Sequence, residues 1–356
     1  MKIALITDTH WGARGDSLAF ADYIRKFYKN TFFPYLKDND IKRIIHLGDI
    51  VDRRKYINYV TARRLKEDLF IPCHENGIEL DVIIGNHDTS FKNTNEVNAM
   101  NELYSHSSIN FRYHSDPIEL DVDGLKIALL PWVCSGNFSE SMEFLQKTDA
   151  QVLFGHLEIQ GFEMYRGTFN DHGFESNIFD KFDIVCSGHF HHRSSRGNIH
   201  YLGSPYEITW SDYNDPRGFH IFDTDTREIT FIQNPYRLFN KIHYTDVDKT
   251  MDEVLDVDLE MYKDTYIKVV VHQKTNPFWF DLFIEKLEKA GVVDLQVVDD
   301  HLNLNLEDDS DIVDEAEDTL TILKKVVDGI DTTVPKKELD NFLTSLYNEA
   351  LHAEYV

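Results

Sequence analysis

Five short strings hold the residues best suited to chemistry: Asp8-Thr9-His10, Gly48-Asp49-Ile50-Val51-Asp52, Gly85-Asn86-His87-Asp88, Gly155-His156 and Gly188-His189-Phe190-His191. Carboxylate oxygens, an amide oxygen and imidazole nitrogens are the donors that borderline divalent metals take. Asp8 and His10 stand two apart and can address one point. Asp49 can give one oxygen to each of two ions, which sets them about 3.5–4 Å apart. Asn86 adds a neutral oxygen, and His156, His189 and His191 add imidazoles. The set is too rich in nitrogen for a dedicated Mg²⁺ or Ca²⁺ cage and suits Mn²⁺, Fe²⁺, Zn²⁺ or Co²⁺.

Two such cations clamp phosphoryl oxygens and lower the pKa of a water toward neutrality, which makes a nucleophile fit to attack a phosphodiester. The departing alkoxide then needs a proton. His87, beside Asn86, is placed to give it, with Asp88 to orient the ring. A lone Asp-x-His or Gly-His-x-His carries little weight; Gly-Asn-His-Asp carries more. Five strings in this order, most of them behind a short apolar run, carry the metal reading together. His46, His74, His106, His114, His172, His200, His220 and His352 lie outside the strings and read as surface or hydrogen-bonded residues. His192 extends the last string, but His191 has the better spacing.

The elements that must position these groups follow from periodicity. Short β-branched runs at 2–7, 43–47, 79–84, 126–130, 152–154, 184–186 and 199–202 read as strands. They alternate with helical stretches at 17–36, 59–76, 95–105 and 139–147. Such alternation predicts an α/β layered fold with ligands in the loops beyond the strand ends. Runs at 218–223 and 228–233 predict a hairpin closing the unit. Farther on, a strand at 265–272, a helix at 277–290 and strand material at 295–298 and 302–306 predict a small α+β module. Acidic residues 307–311 favour the start of a helix reaching about Gly329, and the segment ending in Pro335 breaks it. A last helix shows Leu339, Phe342, Leu343, Leu346, Tyr347, Ala350 and Leu351 as an apolar stripe. Three parts are therefore expected: 1–240, 241–308 and 309–356.

The 356-residue chain is 42% hydrophobic and 28% charged, as a globular protein should be. Its N-terminus runs straight into a core strand, so no signal peptide is read. No apolar stretch nears the roughly 20 residues of a membrane span. Cys73, Cys134 and Cys186 form no CxxC pair and read as reduced thiols of a cytoplasmic protein. The net charge of −26 is uneven: from Asp246 onward 10 Lys face 28 Asp and Glu, and the rest carries 26 Lys and Arg against 34 Asp and Glu. A chain this acidic grips duplex DNA poorly alone, so a nucleic-acid substrate calls for a partner or a local basic patch.

The ordered strings resemble those of the calcineurin-like metallophosphoesterases over about residues 1–235. Within that superfamily, the early Asp-x-His, the Gly-Asp-Ile-Val-Asp string and Gly203-Ser204-Pro205 are similar to the SbcD-type DNA repair nucleases. Arg217-Gly218-Phe219 and the chain length resemble the bacteriophage members, recombination endonuclease subunits that work in host cytoplasm. The resemblance implies an αββα sandwich with two Mn²⁺ ions. Asp8, His10, Asp49 and His191 would hold one ion; Asp49, Asn86, His156 and His189 would hold the other. His87 matches the family's catalytic histidine. The implied activity is 3′→5′ exonuclease and single-strand endonuclease cleavage of DNA. A small cap domain, C-terminal helices that dock on an SMC-like coiled-coil ATPase, and a homodimer through the helices at 59–76 and 95–105 are implied as well.

One position departs from part of the family: Asp52 stands where archaeal and eukaryotic relatives carry histidine, and it reads either as an accessory to the site or as a plain loop residue. Arg14, Arg53 and Arg54 flank the first two strings and read as phosphate contacts or as solvated loop charges. Ser204 is a further candidate for substrate contact. Two rival readings stand beside the nuclease. A metallophosphatase or cyclic-nucleotide phosphodiesterase shares the metal set but needs no extension of this length past its core. A scaffold that has lost its metals does not fit ligands intact in every string.

Overall fold

The computed structural model describes residues 1–105, 111–165 and 167–299, with isolated positions beyond 300. The chain divides into one unit of 1–208 with 212–302 and another of 209–211 with 303–356. The first unit carries the architecture. Its strands in chain order are β1 Lys2–Ile6, β2 Arg43–His46, β3 Glu79–Ile83, β4 Arg112–His114, β5 Ile118–Val122, β6 Leu125–Leu130, β7 Val152–His156, β8 Glu163–Tyr165 and β9 Thr168–Phe169. They continue with β10 Ile184–Gly188, β11 Ser194–Arg196, β12 Ile199–Tyr201, β13 Gly218–Asp223, β14 Ile229–Gln233, β15 Phe239–Thr245, β16 Tyr266–Gln273 and β17 Asp294–Asp299.

Two six-stranded sheets form, in the orders β14-β13-β1-β2-β3-β4 and β11-β12-β10-β7-β6-β5. Their central strands run parallel, and the β13–β14 hairpin closes the first sheet against β1 as expected. Alternate residues of each strand point the same way. Ile3, Leu5, Ile45, Leu47 and Ile83 thereby meet Ile127, Leu129, Val152 and Phe154 between the sheets. Residues of opposite parity face outward: Ala128, Leu130, Leu153 and Val185 pack with Leu145 of helix Phe138–Lys147 and with Phe179. On the other outer face, Phe27 and Phe32 pack edge-on to Phe219 of β13. Burial on both faces explains why these strands read as near-continuous apolar runs. The layers are helix, sheet, sheet, helix: the expected αββα sandwich.

Two expected helices depart from a plain α-helix for one reason. The segment at 17–36 is an α-helix over Leu18–Phe27, a π-helical turn over Tyr28–Phe32, and an α-helix over Phe33–Asp38. Pro34, in the first turn of the last piece, has no N–H to give to the turn before it, and the wider turn absorbs the gap. The segment at 59–76 repeats the pattern with a π turn over Lys66–Phe70 just before Pro72. The helix expected at 95–105 shortens to Ala99–Tyr104, because the Asn98 side chain caps it by accepting the Asn101 N–H.

Beyond these layers, β15, β16 and β17 form a parallel three-stranded sheet backed by helix Pro277–Lys289. Ile267, Val269 and Val271 meet Phe280, Phe283 and Leu287 in a core of their own. The strand expected at 302–306 lies outside the described residues, as do most positions of the acidic helix and of the final striped helix; of these two, Val327, Lys336, Leu339, Phe342 and Leu343 are described, each as helical. Among the described residues no helix is long and apolar enough to cross a membrane. The three cysteines are buried and unpaired.

Candidate metal centre

Asp8 and His10 follow β1, Asp49 follows β2, Asn86 and His87 follow β3, His156 ends β7, and His189 and His191 follow β10. All sit at or just past the carboxyl ends of parallel strands. The backbone there is strained: Asp8, His10, Asp49 and His189 have φ of 50°, 41°, 52° and 87°. Residues with side chains rarely adopt these values, and such strain persists where the surroundings over-determine it. The preceding glycines let the loops interleave. A Cβ on Gly85 would lie 2.3 Å from Asp49 N and Oδ1, and one on Gly188 would lie 2.0 Å from Thr7 Oγ1. Only glycine fits.

Among the described residues three groups of donors converge, with the ligand atoms of each within 4.8 Å of one another: Asp8, His10 and His191; Asp49, His156 and His189; and His10, Asp52 and His87. Asp49 Oδ2 stands 3.8 Å from His10 Nε2 and 3.3 Å from His156 Nε2, between the first two groups. Asn86 Oδ1 is 2.8 Å from His156 Nε2 and 2.9 Å from His189 Nδ1. Supporting contacts aim the donors. His156 Nδ1 gives its hydrogen to the Leu47 carbonyl at 2.8 Å, which leaves Nε2 as the inward lone pair of the neutral ring. His10 Nδ1 faces the Asp52 carboxylate at 3.3 Å, which turns its Nε2 toward His191 Nε2, 3.0 Å away. Backbone amides steady the carboxylates: His87 N donates to Asp49 at 2.7 Å, and His189 N to Asp8 at 3.1 Å.

These contacts test the fit of a cation. Inward lone pairs of His156, facing the Asn86 oxygen, and of His10, facing His191, repel one another unless a proton or a metal lies between them. Burial, with the charge of Asp49 nearby, pushes the Asp8 carboxyl up to about 6. Burial works against the charged form of His10, but the Asp52 hydrogen bond and the Asp49 charge outweigh it and raise the ring to about 9. His156 rises to about 9 in the same way, against burial and through Asp49. Without metal the centre must hold protons on rings whose geometry suits cation ligation. The donor set fits divalent metal.

Comparison with known proteins agrees. The model of the calcineurin-like phosphoesterase family matches residues 1–193. Exonuclease subunit 1 of Enterobacteria phage T4 is 33% identical over 98% of this chain and 99% of its own. The SbcD protein of the SbcCD nuclease is 24% identical in Staphylococcus saprophyticus, over 75% of this chain and 77% of its own. In Staphylococcus epidermidis it is 24% identical over 79% of each.

The chain belongs to the calcineurin-like phosphoesterase family.

Members of this family use divalent metals, and the two groups that Asp49 stands between are where this phosphoesterase gathers ligand atoms. His87, half-buried, sits beside them with Nδ1 2.5 Å from the Asp52 carbonyl. A carbonyl only accepts, so Nδ1 carries the hydrogen and the second nitrogen is the one left to exchange protons.

Two sequence expectations need correction. Asp88 does not orient the His87 ring. Its buried carboxylate accepts N–H groups from Gly85, Ile50 and Val51 at 2.9–3.1 Å, tying the second string to the third. Asp52 does the orienting instead, through its carbonyl on His87 and its carboxylate on His10. Ser204 is buried, with its hydroxyl filled by Arg217 Nη1 at 2.8 Å and the Tyr206 carbonyl at 3.0 Å, so no face is left for substrate.

Arg14 is not brought to the cluster. Its guanidinium lies 4.3 Å over the Tyr266 ring and 5.2 Å from that of Phe239, on the β15–β16 sheet. Arg53 pairs with Asp16 at 2.6 Å, whereas Arg54 reaches Thr89, two residues past His87. Sequence reasoning used Arg217 only as a mark of family resemblance and missed its role: it donates to the His191 carbonyl and to Asp212 and fixes the last loop from behind. It also missed the brace on His192, held between Asp215 and Glu163 at 2.8 and 3.1 Å. Buried basic residues between carboxylates were the signal for neither, since burial was not legible at those positions.

Proposed function

We propose that this chain is a DNA nuclease that hydrolyses phosphodiesters with two divalent ions, Mn²⁺ by preference, as the nuclease subunit of a recombination or repair complex. The observation that carries the reading is Asp49, whose carboxylate stands between two imidazole groups. Asp8, His10, Asp49 and His191 would hold one ion, and Asp49, Asn86, His156 and His189 the other. Bound there, the ions supply positive charge for the phosphoryl oxygens and a water acidic enough to attack near neutral pH. Everything else is done by side chains and backbone. Asp52 holds the His10 ring and, through its carbonyl, the His87 ring, so that both keep one orientation. His87 lends the leaving 3′ or 5′ oxygen a proton from Nε2. Asp88 keeps the two loops in register by accepting three backbone amides.

The named relatives are an exonuclease subunit and nuclease subunits, which supports DNA as substrate and a partner subunit. We assign the partner as an SMC-like coiled-coil ATPase docked on the C-terminal helices, the segment 241–308 as a cap over the 1–240 nuclease part, 3′→5′ exonuclease and single-strand endonuclease as the cleavage modes, and a homodimer through the nuclease helices. A phosphatase or cyclic-nucleotide phosphodiesterase remains the rival enzyme. Turnover of linear and single-stranded DNA, bis-p-nitrophenyl phosphate and p-nitrophenyl phosphate with Mn²⁺ separates them. The nuclease reading expects cleavage of DNA and of the diester in preference to the monoester; a preference for the monoester with no cleavage of DNA sinks it.

A further inference from the structure

The loop after Asp52 and the first turns of the helix that follows it are unlike the rest of this chain in charge. Residues 53–66 hold six Lys and Arg and no acid, in a protein of net charge −26. Several of these cations are engaged: Arg53 by Asp16, Arg63 by Glu67 and Arg64 by Asp22, each at 2.6–2.7 Å. Arg54 meets no carboxylate among the described residues. Its Nη1 donates to Thr89 Oγ1 at 3.3 Å and to the Phe91 carbonyl at 3.5 Å, and its guanidinium carbon lies over the Trp132 ring, 5.0 Å from the ring centre. A guanidinium so held has few conformations to lose on meeting an anion. Two large aromatic side chains flank it in the open: Phe91 is 52% exposed, and Tyr56, under the Arg53 guanidinium, is 65% exposed. Single exposed aromatics are ordinary. Two of them beside a fixed, unpaired cation, on the loops that carry Asp52 and His87, make a surface with a chemistry.

We propose that Arg54, Phe91 and Tyr56 form a shelf for an unpaired nucleic-acid strand at the mouth of the metal centre, with Arg54 taking a backbone phosphate and the two rings taking bases. The inference rests on the nuclease reading, which already includes single-strand cleavage, and adds the residues that take the strand. A duplex hides its base faces inside the stack, whereas a single strand or a frayed end offers them, and stacking tolerates every base. Phosphate complements the basic stretch. A second copy of this chain meeting Arg54 itself across a two-fold axis would set guanidinium against guanidinium, so the homodimer assigned above is left to the helices beyond this loop.

The test uses the full chain loaded with Mn²⁺. Turnover of bis-p-nitrophenyl phosphate by the native protein is measured first. It has no bases, so a protein inert toward it overturns the nuclease reading, and this inference with it. With turnover in hand, KM is compared for a single-stranded oligonucleotide and for the same backbone carrying abasic sites. The shelf predicts a KM about tenfold lower for the strand with bases. In Phe91→Ala and Tyr56→Ala that ratio falls toward one, and in Phe91→Tyr, which keeps a stacking face, it persists. Arg54→Ala raises KM for both strands alike. A native protein that treats the two strands equally, or alanine variants that keep the full ratio, overturns the proposal. So does a change from dimer to monomer in Phe91→Ala or Tyr56→Ala by light scattering, which would give the aromatics to a second copy.

Discussion

Asp52 touches both halves of the site, its carboxylate on His10 and its carbonyl on His87. Carboxylates that orient metal-bound imidazoles contribute about 10–100-fold in metal affinity or activity. Asp52→Ala is therefore expected to weaken Mn²⁺ binding by about that factor in calorimetric titration. An unchanged affinity means that His10 needs no such brace. His87→Ala should behave differently, keeping its metal content while kcat falls about 10²–10⁴-fold. Loss of the ions from that variant contradicts the proton-donor role. At this scale the sequence was legible where identity alone does the work, as in Asp-x-His and Gly-His-x-His. It was not legible where the partner is backbone. Nothing in the letters announces that Asp88 accepts three amides, or that the Leu47 carbonyl sets the His156 tautomer.

Among the elements, β3 carries a charge into the space between the sheets. Asp81 is fully buried, accepts from Arg43 and Arg112, and faces His114 at 3.0 Å. Burial alone would raise its carboxyl; the hydrogen bonds from Arg112 and His114 outweigh that and hold it down to about 2. A carboxyl depressed on folding stabilises the protein above its unfolded pKa, near 4, and the contribution is lost as pH falls through about 2. The shift corresponds to about 2 kcal/mol at neutral pH. Urea unfolding should show Asp81→Asn less stable than the native protein by at least that amount at pH 7, with the gap narrowing between pH 4 and 2; a gap independent of pH refutes the assignment. The same strand pair shows why β4 escaped notice in the sequence. Arg112-Tyr113-His114 has no apolar run and is made a strand by the ladder and charges of β3. The two π turns were hidden likewise: apolar spacing announces a helix, and only the missing N–H of Pro34 and Pro72 widens it.

Over the whole molecule, the first metal loop runs into the seam with the β15–β16 sheet. Arg14 stacks on Tyr266, Ser17 Oγ lies 3.2 Å from the Tyr266 hydroxyl, and buried Glu207 accepts the Leu238 and Phe239 amides where β15 begins. A cation–ring contact contributes about 0.5–2 kcal/mol, more as it is desolvated. Arg14→Ala should therefore speed amide hydrogen exchange both in β15 and in the loop after β1; faster exchange in one alone breaks the proposed link between them. The layers of this fold were legible because parallel strands buried on both faces write continuous apolar runs. The seam was not, because a cation stacked on a ring far along the chain has the same letters as a solvated arginine. The acidity from Asp246 onward points the same way as the partner proposal, away from DNA.

The sharing of Asp49 between two ions is read out by the metal content of the native protein and of Asp49→Ala after manganese loading, taken by mass spectrometry alongside cleavage of a single-stranded oligonucleotide. A shared carboxylate predicts two ions per native chain, the loss of at least one in Asp49→Ala, and no cleavage by the variant. Two ions retained with cleavage intact in Asp49→Ala, or no ions in the native protein, contradicts it.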